Sequence, residues 1–403
     1  MKTKPTQAGS TLDFVYFDAG GGHRSAAIAL QSVIASAGYP WDIRLVNLQE
    51  VLDSLDIFRK LTGFRLQDLY NLLLAKGWTL GSASLLAGMH AVIRVFHPAQ
   101  VKLLSAFWKE RQPDMVVSLV PNFNRALYQS IQRAIPGVPL VTILTDLADY
   151  PPHFWIERQP QYLICGTERA VEQAKAMGHD EAYIFRTSGM ILRPQFYEPL
   201  EQTVAEERKQ LGLDPTKATG LVLFGGEGSD AMYPIAKRLG NGPIDLQLIL
   251  ICGRNAKLQK RLGELRTRNK LLVEGFTKRI PYYMRLADFF IGKPGPGSVS
   301  EALQMRLPVI VERNAWTLPQ ERYNADWIRE KRVGMVLDHF HGIEDAVREL
   351  LSGGRLPAMK GRIAEMNNRA VFEIPKILDE VFRKEYPNTM PELPARHVSD
   401  IAG

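Results

Sequence analysis

The stretch FDAGGGHRSAA, residues 17–27, ends the apolar run LDFVYF, residues 12–17. Three glycines, a histidine and an arginine stand where a strand stops and a helix begins. Glycine clears side chains from such a turn, so the backbone itself can approach a ligand. The helix that follows offers unpaired amides and the positive end of its dipole to negative charge. Two more turns of this kind occur in the second half: LFGGEGSDA, residues 223–231, and GKPGPGSVSEAL, residues 292–303. A tight left-handed turn explains any one glycine cluster as well as a ligand does. Three at strand exits, spread over both halves, favour a ligand held between two domains.

Outward from these turns, apolar runs alternate with amphipathic stretches. The first half carries LDFVYF (12–17), WDIRLVN (41–47), DMVVSLV (114–120), PLVTILTD (139–146), QYLICG (161–166) and EAYIF (181–185). The second carries TGLVLFGG (219–226), LQLILICG (246–253), LLVEGF (271–276), DFFIGK (288–293), PVIVE (308–312) and VGMVLD (333–338). Such alternation predicts parallel sheets covered by helices on both faces, so each half reads as its own doubly wound α/β domain. A chain of 403 residues is also long enough to divide into two. Prolines and a glycine interrupt the pattern in RTSGMILRPQFYEPL, residues 186–200. The expected domains are residues 1–195 and 196–385, followed by a loosely ordered tail, 386–403.

Residues 55–111 depart from the pattern. They show no strand signal, only helix-like apolar sequence with Arg59, Lys60, Arg65, Lys76, Arg94, Lys102, Lys109 and Arg111, and with Trp78, Phe96 and Trp108. A basic, aromatic helical insert can lie at a membrane interface, or it can pack on the first sheet with a solvated charged face.

The net charge of +7 and a pI near 9.2 call for an anionic partner, and nucleic acid, an anionic membrane face and a phosphorylated substrate all qualify. The opening MKTKPTQAGST lacks the apolar core of a secretory signal, and no run reaches the roughly 18 apolar residues of a membrane span. The expected location is cytoplasmic. The two cysteines, Cys165 and Cys252, lie in strand-like settings without CxxC spacing and read as buried free thiols.

A nicotinamide dehydrogenase is disfavoured: GGGHRS misses the GxGxxG spacing, and the second strand leads to Asn47 rather than an acid. No GxxxxGK[ST] marks a P-loop, and no DxD triad is present to hold a divalent ion. A diphosphate would therefore be neutralised by helix N-termini and basic side chains. His23, at a positive helix end, is biased towards neutral imidazole and can take a proton from an attacking hydroxyl; otherwise it caps the helix or donates to a phosphate.

DAGGGHRSAA, TDLADYPPHFW, GMILRPQF, FGGEGS, CGRN and GKPGPGSVSEAL…PVIVERNAWTLPQERYNADW resemble, in order and over residues 12–327, the monogalactosyldiacylglycerol synthases and bacterial processive diacylglycerol glucosyltransferases of glycosyltransferase family 28. The resemblance implies a GT-B fold, two Rossmann-like domains facing a cleft, with the nucleotide-sugar site mostly in the second and the acceptor site in the first. It implies inverting transfer of galactose or glucose from UDP-galactose or UDP-glucose to diacylglycerol or a glycolipid. No metal or cofactor is expected, the UDP-sugar being a substrate. Peripheral attachment to the anionic inner face of the cell membrane follows, with no nucleic-acid partner. Alternatives are a transferase of the same fold using UDP-N-acetylglucosamine or another lipid acceptor, a UDP-sugar epimerase, and a non-catalytic UDP-sugar-sensing regulator docked on membranes.

Residue by residue, the resemblance implies His23 as catalytic base. Gly20, Gly21, Gly22, Asp146, His153 and Trp155 fall on the acceptor side. Arg193, Gly225, Gly226 and Gly228 fall near the donor's diphosphate, and Gly295, Gly297 and Ser298 elsewhere in the donor-binding site. Phe276 falls against the uracil, Glu301 on the ribose, and Gln320 and Glu321 on the hexose, with Asn324 beside them. Taken alone, SVSE, residues 298–301, reads instead as a helix capping box.

Overall fold

The computed structural model describes residues 9–18, 21–53 and 93–387. The described chain divides into two compact units. Residues 195–367 make up the second, and the remaining described residues the first. Gly20 and residues 54–92, which take in residues 55–92 of the basic insert, lie outside the described residues, as does the tail from 388.

The first unit contains a six-stranded parallel sheet: β1 (Ser10–Tyr16), β2 (Trp41–Asn47), β3 (Met115–Ser118), β4 (Leu140–Ile143), β5 (Tyr162–Cys165) and β6 (Ile184–Arg186), in the order β2-β1-β3-β4-β5-β6. β3, β4 and β5 are buried at every position, which is why they read as unbroken apolar runs. EAYIF yields a shorter strand than expected, because Asp180 accepts the amide of Ala182 and winds Glu181–Tyr183 into a 3₁₀ turn.

The second unit repeats the plan with β7 (Ala218–Leu223), β8 (Leu246–Ile251), β9 (Lys270–Glu274), β10 (Phe289–Gly292), β11 (Val309–Glu312) and β12 (Gly334–Leu337), in the order β12-β11-β10-β7-β8-β9. In each sheet the order reverses once, between β1 and β3 and between β7 and β10. Chain connections leave in opposite directions there and open a crevice at the strands' carboxyl ends. All three glycine turns stand at those ends, after β1, β7 and β10.

One element lies elsewhere than the sequence placed it, and another decides between alternatives that the sequence left open. The helix Ala370–Glu385, expected in a second domain ending at residue 385, belongs to the first unit. Phe382 packs against Trp41, Glu385 accepts a hydrogen bond from the Tyr162 hydroxyl, and Tyr386 donates to the Asp114 carbonyl at 2.9 Å. The alternation of runs carries no record of such a return. The end of the basic insert, the helix His97–Arg111, turns Leu104 and Trp108 into the core of the first unit. Trp108 is wholly buried and donates to the Ser130 hydroxyl at 2.9 Å, so this aromatic is core. No described helix is long and apolar enough to cross a membrane.

Asp13 on β1 is fully buried and holds Arg44 Nε at 2.7 Å and Arg111 Nε at 2.8 Å. Burial outweighs the two guanidiniums and keeps its carboxyl above the usual range. Replacing both arginines by methionine strands the carboxylate and is expected to cost about 3–5 kcal/mol in urea unfolding at neutral pH. The deficit should shrink as pH falls, because a carboxyl raised in the fold loses stability only as pH climbs through its pKa.

Candidate functional site

Gly21 takes a φ of 77° and opens the helix Gly22–Ser36, which no side chain among the described residues caps. His23 is the second residue of the helix. Its Nδ1 lies 2.9 Å from Thr145 Oγ1, two residues past β4. Its ring centroid lies 5.9 Å from that of Trp155. The residue as a whole is half-buried, but its imidazole is enclosed, and burial pushes its pKa down to about 4 against the opposing backbone hydrogen bond of Leu119. The neutral imidazole expected from the helix end is thus present, with burial as the largest cause.

Trp155 is fully buried and offers no surface to an acceptor. It packs beside His23, and its indole N–H donates to Asp146 Oδ2 at 2.8 Å. Asp146, whose role the sequence left open, therefore bonds a side chain. The His153 side chain is exposed; its backbone has a φ of 66° and its amide donates to Asp149 at 2.9 Å. Asp149 also accepts the Trp155 amide at 2.6 Å and pins the loop that carries the indole. Asn124 donates to the Trp155 carbonyl and accepts from Ser118, tying the loop to the exit of β3.

In the second unit the turn at residues 225–228 rests on the loop after β8. Gly253 has a φ of 60°, and a Cβ there would meet the Gly226 carbonyl oxygen at 2.1 Å, so no other residue fits. Arg254 donates its amide to that carbonyl at 2.8 Å. Its guanidinium bonds Glu227 at 2.8 Å and lies 4.5 Å over the ring of Phe276, which is 54% exposed. Gly228 is closed in by the Cys252 carbonyl, whereas nothing approaches the Cβ position of Gly297.

Lys293, directly after β10, stands between two glycine turns. Its Cε lies 3.8 Å from a Cβ built on Gly225 and 3.3 Å from one on Gly295, and its ammonium bonds Glu321 Oε1 at 3.1 Å. Glu321 is buried and Gln320 half-buried at the start of the helix Pro319–Lys331. Asn324, 1% exposed, donates to the Pro294 carbonyl at 2.8 Å, and its Oδ1 has no partner among the described residues. The helix Pro296–Gln304 is capped by Gly295. Ser298 is therefore its third residue and Glu301 its sixth, and the two form no capping box. Glu301 is half-buried within the helix. Arg193 is half-buried at the end of the first unit.

Sequence reading missed Thr145, Asp149, Arg254 and Lys293. A basic residue inside a glycine turn was a visible signal for Lys293. A hydroxyl at a strand exit was a faint one for Thr145. Asp149 gave none, since its work is done through backbone amides.

Residues 199–381 match the glycosyltransferase family 28 C-terminal domain. Monogalactosyldiacylglycerol synthase 1 of Arabidopsis thaliana is 27% identical over 301 residues, 70% of this chain and 54% of the relative. The spinach enzyme, from Spinacia oleracea, is 28% identical over 68% of this chain and 54% of its own. The chain thus spans about half the length of these relatives. Among solved structures, the S. aureus MnaA–UDP co-structure superposes with a TM-score of 0.58 at 15% identity, covering 96% of this chain and 99% of that one. Acinetobacter baumannii MurG superposes with a TM-score of 0.57 at 12% identity, covering 92% and 99%. The fold is GT-B, two doubly wound α/β units. Within that fold, residues 199–381 carry the match to the glycosyltransferase family 28 C-terminal domain, and the chain is similar to the monogalactosyldiacylglycerol synthases.

Proposed function

We propose that this chain is an inverting, metal-independent glycosyltransferase that moves galactose or glucose from a UDP-sugar to diacylglycerol or a related membrane lipid. The observation that carries the reading is His23: an enclosed imidazole with a pKa lowered to about 4, at the reversal point of a parallel sheet. Such a group is unprotonated at neutral pH and can accept a hydroxyl proton. Support for the lipid acceptor comes from the relatives in plants, whose names are those of monogalactosyldiacylglycerol synthases.

In the proposed reaction the acceptor oxygen attacks the anomeric carbon of the sugar while His23 takes its proton. The bond from that carbon to the diphosphate breaks, and the departing UDP keeps the electron pair. Lys293, Arg254 and the amides of the turn at residues 225–228 meet the growing charge; each well-placed donor is worth about 3 kcal/mol in such a site. Arg193 is assigned to the same diphosphate, Phe276 to the uracil, Glu301 to the ribose, and Gln320 with Glu321 to the hexose. The protein would act at the cytoplasmic face of a membrane, on the surface of its lipid substrate.

The test incubates purified protein with UDP-glucose, UDP-galactose or UDP-N-acetylglucosamine and vesicles containing diacylglycerol, with mass spectrometry of the lipids and NMR of the product's anomeric centre. A β-hexosyl-diacylglycerol formed in EDTA is expected. Transfer from UDP-N-acetylglucosamine alone, an α-linked product, sugar epimerisation without lipid, or UDP binding without turnover would each overturn the reading.

A further inference from the structure

We propose that Thr145 is the positioning residue for the His23 imidazole, holding Nδ1 through its hydroxyl so that Nε2 faces the acceptor as the base. The inference rests on the function proposed above and names the group on which its base depends.

The geometry comes from a rigid source. Thr145 follows β4, whose exit is tied to β5 by the Leu144 amide bonding the Ile164 carbonyl at 3.1 Å. Its Oγ1 lies 2.9 Å from His23 Nδ1. The next residue, Asp146, binds the indole N–H of Trp155, whose ring stands 5.9 Å from the His23 ring. One dipeptide at a strand exit therefore holds the imidazole twice, directly and through the tryptophan. Asp149 and Asn124 fix the loop that carries Trp155, so both supports are anchored in the sheet.

The chemistry of the support matters as much as its position. An imidazole has two nitrogens, and the one that is bonded decides which is free to act. In the proposed tautomer the ring's one proton sits on Nδ1 and serves both Thr145 Oγ1 and the Leu119 backbone, and Nε2 keeps its lone pair for the acceptor's hydroxyl. The acceptor proton then passes to Nε2 as its oxygen bonds the anomeric carbon and UDP leaves with the electron pair. A carboxylate at position 145 would fix the same tautomer but also favour the imidazolium. A hydroxyl orients the ring without adding charge. Among the described residues, the groups that face the ring are the Thr145 hydroxyl, the Leu119 backbone and the Trp155 indole, and the Asp146 carboxylate is bonded to the indole. On the ring's own helix, Arg24 is exposed and paired with Asp18 at 3.0 Å.

Three variants test this: Thr145→Val, which keeps the shape and removes the hydroxyl, Thr145→Ser, which restores it, and Thr145→Asp. Each is checked for a native circular dichroism spectrum. In hexosyl transfer, Thr145→Val is expected to lower kcat about 10- to 100-fold, part of the gain that a positioned base supplies, with KM for the UDP-sugar unchanged. Thr145→Ser should recover kcat. Thr145→Asp should move the acid limb of the pH profile upward by about 1–3 units.

A second readout needs no turnover. ¹⁵N NMR of histidine-labelled protein, with His23 picked out from the eight histidines by difference against His23→Gln, reads its tautomer directly. The wild-type ring should carry its proton on Nδ1, and Thr145→Val should shift it to a mixture. An unchanged tautomer in Thr145→Val, or equal kcat for the valine and wild-type proteins, would overturn the inference. Full turnover by His23→Ala would instead sink the proposed reaction, and the NMR result would still decide whether Thr145 holds the ring.

Discussion

Replacing His23 by alanine is expected to reduce hexosyl transfer about 10²- to 10⁴-fold, the range a positioned general base supplies. UDP affinity should be unaffected, because no donor group is touched. The pH profile of the wild-type protein carries the sharper signature. A base works only when unprotonated, and burial pushes this imidazole down to about 4. The acid limb of kcat/KM should therefore lie near 4, well below the 6.5 of an ordinary histidine. Stability should follow by linkage. Between about 4 and 6.5 the unfolded chain binds a proton that the fold refuses, so stability rises with pH through that window and is lost as pH falls through it. His23→Ala should flatten that part of the unfolding profile while lowering transfer by the factor given above. An acid limb at 6.5, or transfer undiminished by the alanine, would exclude His23 as the base.

The strands were legible because parallel sheets bury both faces and so write themselves as continuous apolar runs. LQLILI, buried at all its positions, is unmistakable, and every run read as a strand contains one. The glycine turns were legible for a related reason, since a reversal point needs bare backbone and only glycine provides it. What escaped is contact between distant parts of the chain. Glu321 and Lys293 are 28 residues apart, and Thr145 and His23 are 122 apart. His23 and Glu321 stand out in their own segments, but nothing local pairs them with Thr145 and Lys293. Trp155 shows the same limit: its motif puts it on the acceptor side, but nothing local says that its indole N–H goes to Asp146 beneath the surface. SVSE misled as a capping box because the Pro-Gly steps before it start the helix earlier, at Pro296. The helix Ala370–Glu385 was assigned by chain order, and chain order does not record which sheet a late helix packs upon.

Replacing Lys293 by methionine is expected to weaken UDP binding about 10- to 100-fold, equivalent to the roughly 1.5–3 kcal/mol of a hydrogen bond to a charged group. The side chain leaves β10 at the sheet's reversal point and threads between the turns at Gly225 and Gly295, where neither glycine presents a side chain. Its ammonium is held by Glu321, a carboxylate buried more deeply than the lysine itself. A diphosphate arriving at those turns competes for that cation, and a Glu321 oxygen relieved of the ammonium becomes an acceptor for a sugar hydroxyl. Binding of the phosphates and recognition of the hexose would thus be coupled through one ion pair. Calorimetry with UDP and with uridine separates charge from packing. Lys293→Met should weaken UDP and leave uridine unchanged, and Lys293→Arg should retain most of the UDP affinity. The effect should shrink in Lys293→Met/Glu321→Gln, where no stranded carboxylate repels the phosphates. Equal losses for UDP and uridine would mean that the variant has only disturbed the turn, and unchanged UDP affinity would remove Lys293 from the donor site.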